Sequence, residues 1–200
     1  MAPGEGPERD PALAELLGEM KSLQKRQDRV RLLRLMDRDF RVEFQGGNGP
    51  EDFSKRWFAK KGNSALWDLL GRLLEMRGVF YSETLYVLPD VYANFPQDLD
   101  PSAHVVTVQE TEWKAVAEAG EEAIPVPVCT ILPLGQEASA PGEGLLVRHP
   151  QKGAGRVSAL SVYSPLAHRM FFEKRKGEWR WISLVSADTA KAPNAGRRAE

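Results

Sequence analysis

The sequence predicts an α+β protein in which N-terminal helices and one strand precede a small, β-rich domain of barrel or sandwich type. Three observations carry this expectation. Apolar residues recur at helical spacing from Leu13 to Val30, a second helical stripe runs through ALWDLLGRLLEMR (65–77), and after Gly78 the texture changes to short β-branched runs broken by prolines. With 42% hydrophobic residues, a chain of 200 residues can bury a substantial core.

Taken in order, residues 1–12 and 189–200 are rich in Pro, Gly, Ala and charge and read as disordered tails. Residues 13–78 form the expected helical N-terminal region. Leu13, Leu16, Met20, Leu23, Gln27 and Val30 alternate spacings of three and four, with one polar position in the seam. Such a stripe fits an amphipathic helix packed on its own domain; a short coiled coil between two chains and a basic membrane-surface helix are the alternatives. FRVEF (40–44) alternates as a half-buried strand does. GGNGP then breaks the chain, and Pro50 suits the first position of a helix whose first turn holds Glu51 and Asp52. The next helix takes Asn63 or Ser64 as its cap, turns Leu66, Trp67, Leu70, Leu73 and Leu74 inward, and stops at Gly78.

Strands are expected at VVTV (105–108), IPVPVCTIL (124–132), GLLVRH (144–149) and RVSALSVY (156–163), followed by a hairpin over residues 168–185. Lys176-Gly177 sits at its turn, where glycine supplies the positive φ of a tight hairpin. Trp179, Trp181 and Val185 fall on one face of its second strand, and Arg180, Ile182 and Leu184 on the other.

Lysine and arginine (27) nearly cancel aspartate and glutamate (28), so no whole-molecule field draws the chain to nucleic acid or to an anionic membrane. A lone cysteine, Cys129, excludes an intramolecular disulfide and a cysteine-based zinc cluster. Its apolar neighbours predict a buried, inert thiol. No run reaches the roughly 18 apolar residues that span a bilayer, and the start lacks the pattern of a signal peptide. Read literally the chain is cytoplasmic; a signal removed ahead of Met1 would instead place it in the periplasm or cell envelope.

YVLPDVYANFPQDLDPSAHVV (86–106) and YSPLAHRMFFEKRKGEWRWISLVSADT (163–189) resemble a group of largely uncharacterised bacterial proteins with a Src-homology-3-like domain of the bacterial type. In that group Phe-Pro-x-Asp-Leu-Asp-Pro, here Phe95 to Pro101, leads into the barrel. A Ser-Pro-x-x-x-Arg segment, here Ser164 to Arg169, and a Gly-x-Trp-Arg hairpin, here Gly177 to Arg180, close it. The resemblance covers about residues 36 to 188 and implies a barrel domain over residues 79–188. It also implies envelope association and a binding module for peptides or cell-wall material. Where such barrels carry groove aromatics, this chain has Leu145 to Arg148 and Gly155 to Val157.

The chemistry-bearing candidates have plain structural readings beside them. GGNGPED lacks the Lys and Ser/Thr of a phosphate loop. Asp98 and Asp100 are too few for a calcium site and read as a turn capping its own backbone. His104, His149 and His168 share no metal-ligand spacing. No catalytic residue, metal ligand or cofactor is therefore assigned. The expected function is non-enzymatic binding or scaffolding, with a protein or peptidoglycan-type partner met through Arg148, His149, Arg156, Trp179 and Trp181. Losing the groove aromatics shifts the contact toward the loop from Gly135 to Gly144 and the neighbouring Arg148, His149 and Arg156. The protein is expected to be a monomer, with a weak dimer through residues 13–30 possible. Two alternatives remain: a small-molecule-binding or enzymatic pocket formed by FRVEF and the helices to Met76, and single-stranded nucleic-acid binding by the Trp-rich, basic terminal hairpin.

Overall fold

The computed structural model describes residues 6–42, 49–59, 64–116, 123–135 and 144–187. In chain order the helices are α1 (Pro11–Arg26), α2 (Arg29–Arg34), α3 (Pro50–Phe58), α4 (Ser64–Glu75) and α5 (Asp90–Asn94). The strands are β1 (Met36–Arg41), β2 (Val79–Ser82), β3 (Leu85–Leu88), β4 (His104–Thr107), β5 (Thr111–Ala115), β6 (Ile124–Val126), β7 (Ile131–Pro133), β8 (Leu145–His149), β9 (Gly153–Val157), β10 (Val162–Tyr163), β11 (Arg169–Arg175) and β12 (Glu178–Val185). The chain is α+β, and it divides into two compact units. One joins Gly4–Asp90 to Leu166–Glu200; the other is the stretch Val91–Pro165 between them.

This division differs from a helical region at 13–78 followed by a barrel at 79–188. The terminal hairpin β11–β12 belongs to the helix-bearing unit, in a five-stranded sheet of order β1-β12-β11-β3-β2. Pairing explains it: β12 runs parallel to β1, with Met36 opposite Trp181, while β11 pairs antiparallel with β3, with Met170 opposite Leu88. Long-range partners of this kind leave no mark in local composition.

In the helix-bearing unit Asp10 caps α1, its Oδ1 accepting from Ala12 N at 3.1 Å, with Pro11 at the first helical position. The expectation of a disordered tail over residues 1–12 is thereby corrected for residues 6–12. Pro7–Arg9 forms a 3-10 turn, and Asp10 pairs with Lys174 at 2.7 Å. The heptad stripe does not reach Val30. Helix α1 ends at Gln27, whose φ of 53° is left-handed, and Asp28 caps α2 by accepting from Arg31 N. Val30 is consequently 61% exposed, while Leu13, Leu17, Met20 and Leu23 are buried. Gln24 donates to Trp67 O at 2.9 Å, and its amide lies so close to Gly71 that a Cβ there would sit 2.8 Å from Nε2. Helices α1 and α4 approach closely at that point.

Strand β1 begins four residues before FRVEF; Met36 and Phe40 are its buried residues and Val42 is buried just past its end, while Glu43 and Phe44 lie outside the described residues, as does Asn63. Phe40, Phe53 and Trp181 pack edge to face, with ring centroids 4.9, 5.3 and 5.5 Å apart. The two hairpin tryptophans are therefore core: Trp181 is 0% and Trp179 6% exposed. At the turn both Lys176 (φ 52°) and Gly177 (φ 86°) are left-handed, matching the twist of the flanking strands. Phe171 pairs with Ser183 and Phe172 with Trp181, so a bulge at Ile182 interrupts the alternation; beyond it Ser183, Leu184 and Val185 are all buried, which requires both faces of the strand to be covered.

The unit of residues 91–165 has two sheets, β10-β4-β7 and β6-β5-β9-β8. The bridge between Leu134 and Val147, with Gly135 N donating to Leu146 O at 2.9 Å, joins them at β7 and β8. Val105, Trp113, Val126, Leu132, Val147, Val157 and Val162 form the core. Gly155 lies against the Trp113 indole, where a Cβ would fall 2.1 Å from the ring. Among the described residues β6 and β10 do not pair, so no closed barrel is present. IPVPVCTIL is two strands around a turn rather than one strand. Cys129 occupies that turn at φ 66°, half-buried, and not inside an apolar strand. Thr107 holds the turn by donating to Pro127 O and accepting from Thr130 N.

Two outcomes test this packing. Trp181→Ala should lower unfolding stability by about 3–5 kcal/mol in denaturant titration, because a fully buried ring is lost; an unchanged midpoint would contradict its place in the core. The Asp10 carboxyl is held at about 2, below the usual carboxylate range. The first cause is the Lys174 ammonium, and the second is the Trp179 indole N–H, which approaches it without reaching hydrogen-bond geometry. A pKa lowered by folding stabilises above the unfolded value and loses that contribution as pH falls through the folded one. Asp10→Asn, which keeps a competent cap, should therefore cost about 1–2 kcal/mol at neutral pH. Chemical denaturation across pH should show the gap closing between roughly pH 4 and pH 2.

Candidate functional site

The expected contact residues separate once the chain is folded. Trp179 and Trp181 are buried in the helix-bearing unit and offer no stacking platform. Most cations of the hairpin beside them have acids within reach: Lys174 pairs with Asp10, Arg175 with Glu173 and Asp37, and Arg180 with Glu178, while Lys176 is exposed at the turn. Contact with the Glu173 carboxylate first, then with Asp37, raises the Arg175 pKa further. The nucleic-acid alternative thus loses its aromatic platform, and most of its basic rim is paired. Tryptophans two apart could have been either surface or core, and the helices covering this sheet decide the matter.

Arg148, His149 and Arg156 lie on the β8–β9 hairpin of the other unit, and strand alternation divides them. Val147, Val157 and Trp113 point into the core, and Gly155 lies against Trp113. His149 follows them, its ring 5.7 Å from that of Trp113 and its Nδ1 accepting from Gln151 N at 3.3 Å. Arg148 and Arg156 alternate with these residues and face outward. His149 is half-buried on the opposite face of the hairpin from Arg148 and Arg156.

Arg156 brings in a residue that sequence reading did not single out. Its direct partner across the β5–β9 ladder is Lys114, so two cations stand opposite each other on the outer face. Arg148 pairs with Ala154, two residues along β9, and extends the cations diagonally onto β8. Val116 continues β5, its N–H donating to Ala154 O at 3.5 Å, and shares the outer face with Lys114. The outer face thus carries Lys114 and Arg156 at one level, and Val116, Ala154 and Arg148 at the next. Lys114, Val116, Ala154 and Arg148 are all exposed; Arg156 is half-buried, its Nη1 reaching Gly144 O at 3.5 Å. Exposed Glu112 lies 3.6 Å from Lys114 and neutralises one end of the row. The alternation of TEWKA could have shown that Lys114 points away from Trp113. The ladder register that sets it against Arg156 comes from folding.

The remaining candidates have structural partners. Asp100 accepts from Ser102 N at 2.8 Å and from Ser102 Oγ at 2.7 Å, which lowers its pKa and makes FPQDLDP a self-capped turn. His104 Nδ1 lies 2.8 Å from Asp100 O, and His168 packs against Trp57. No group of three or more His, Cys, Asp or Glu side chains that could hold a metal ion occurs among the described residues. A groove of about 300 Å³ lies along Leu33, Pro50, Glu51, Ser54 and Lys55; it is open and lined by α2 and α3, with no residue of β1. The loop at 136–143 lies outside the described residues. No helix among the described residues is long and apolar enough to cross a membrane.

No family model matches the chain, and comparison with curated proteins and with solved structures yields no match either. The site therefore rests on its own geometry.

Like charges placed directly opposite on a sheet are destabilising by a few tenths to about 1 kcal/mol. Lys114→Thr should accordingly raise the melting temperature at low ionic strength, and added salt should shrink the gain as it screens the repulsion. A lower melting temperature at every salt concentration would show that Lys114 stabilises the fold and is not strained there.

Proposed function

We propose that this protein is a non-enzymatic binding module whose residues 91–165 form an open, Src-homology-3-like unit that holds a protein or cell-wall partner on its basic sheet face. The observation that carries this reading is the cross-strand pair Lys114 and Arg156, extended by Arg148. Three cations on one sheet face make it locally basic, and that favours an anionic partner surface. The Src-homology-3-like assignment draws support from the motifs around Phe95 to Pro101 and from the two small sheets joined at β7 and β8 over one core. Cations stand where the family's groove aromatics are missing, which favours an electrostatic contact over an aromatic groove. Envelope association follows from the same resemblance.

Capture from the native host, with the parent protein compared against Arg148→Ala/Arg156→Ala, tests the reading. The parent should retain a partner that the double variant loses, and retention should weaken as salt rises. Equal recovery by both proteins would remove the basic face as the site, and turnover of a small molecule would replace the binding reading with a catalytic one.

A further inference from the structure

We infer that the ring of Phe80, on the edge strand β2 of the five-stranded sheet, is a docking point for an arginine side chain of a partner protein, and that the chain's own Arg9 occupies it as an intramolecular competitor. The Arg9 guanidinium carbon lies 5.2 Å from the Phe80 ring centroid. Arg9 is exposed and Phe80 half-buried, so the cation sits on the solvent side of the ring. Tyr86 and Trp179 meet the same ring edge to face, at 5.1 and 6.0 Å. A second cation, from the far end of the chain, stands over this corner: Lys174 Nζ lies 5.9 Å from the centre of the Trp179 ring. Ring faces carry the negative part of the aromatic quadrupole, and two separate segments place cations on them here. A planar guanidinium stacks on such a face better than a strongly hydrated ammonium does.

Position in the chain distinguishes Arg9 from a built-in contact. Arg29 also lies over a ring, 4.6 Å from the centre of Phe58, but it belongs to α2 and donates to Ser54 Oγ as well. Arg9 stands in the 3-10 turn Pro7–Arg9, ahead of the first α-helix. The backbone N–H groups of Arg9 and Asp10 donate to Gly6 O and Pro7 O, inside the segment, so lifting the turn leaves the sheet ladder intact. Asp10, extended at φ −126° and ψ 106°, is the hinge. Its Oδ1 caps α1 and its Oδ2 holds Lys174, and both contacts persist when Gly6 to Arg9 swing away. A cation over a partly exposed ring gains enough to keep about 70–85% of molecules closed. An incoming arginine then binds about three- to sevenfold more weakly than it would to the open ring.

The test titrates the full-length protein with acetyl-Gly-Pro-Glu-Arg-Ser-amide, which offers the turn's own sequence in trans, and follows the Trp179 indole N–H by NMR. That signal is assigned by its loss in Trp179→Phe. Arg9→Ala should bind the peptide saturably and about three- to sevenfold more tightly than the parent, and Arg9→Lys should return toward the parent. A peptide with neutral, isosteric citrulline in place of arginine should not bind. Adding Phe80→Leu to Arg9→Ala should abolish binding, with melting curves confirming that each variant folds. Equal affinity for parent and Arg9→Ala, equal binding of the citrulline peptide, or no saturable binding to Arg9→Ala would each overturn the inference. A lower melting temperature for Arg9→Ala with no gain in binding would assign Arg9 to the fold alone and overturn it too. Neither result bears on the basic face of residues 91–165, which shares no residue with this corner.

Discussion

The pairing of the last strand with the first is the constraint on which the helix-bearing unit depends. Trp181 N donates to Leu35 O at 3.1 Å at the start of the β1–β12 ladder, and the Trp181 ring fills the space between Phe40 and Phe53. Parallel neighbours cannot be joined by a tight turn, so this contact spans nearly the whole described chain. Until β12 is in place, β1 is an unpaired strand and helix α3 has only Phe40, not the Trp181 ring, to cover. Pairing over such a sequence separation closes slowly, because the loop entropy is lost before the contacts form.

The same topology explains how a second unit can sit in the middle of the chain. Strands β3 and β11 are antiparallel neighbours, and Leu88, where the chain leaves, lies opposite Met170, shortly after it returns. Ends that close together accept an insertion at little entropic cost, as a longer hairpin loop would. Residues 91–165 build their own core from Trp113 and surrounding valines, supported by the close approach of Gly155.

Charge is arranged differently in the two units. In the helix-bearing unit most surface cations near the hairpin have an acid within reach: Asp10 for Lys174, Asp37 and Glu173 for Arg175, Asp90 for Arg77. In the inserted unit two cations, Lys114 and Arg156, face each other across a ladder, with exposed Glu112 3.6 Å from Lys114. A formal net charge of −1 conceals this contrast, because a sum over the chain carries no information about which charges share a face.

The sequence by itself determined what is local. Apolar spacing marked α1 and α4, Pro50 marked a helix start, and Lys176-Gly177 set a hairpin turn, since caps, turns and periodicity act over a few residues. Alternation also puts His149 and Arg148 on opposite faces of their strand, a division that grouping them as one contact set passed over. Only the tertiary structure decided that the terminal hairpin joins the helices and not the β-rich unit, that Trp179 and Trp181 are core, and that Lys114 stands against Arg156. Each depends on ladder register and on which surface covers a face, and these follow from burying apolar area between segments far apart in the chain, where local pattern has no reach.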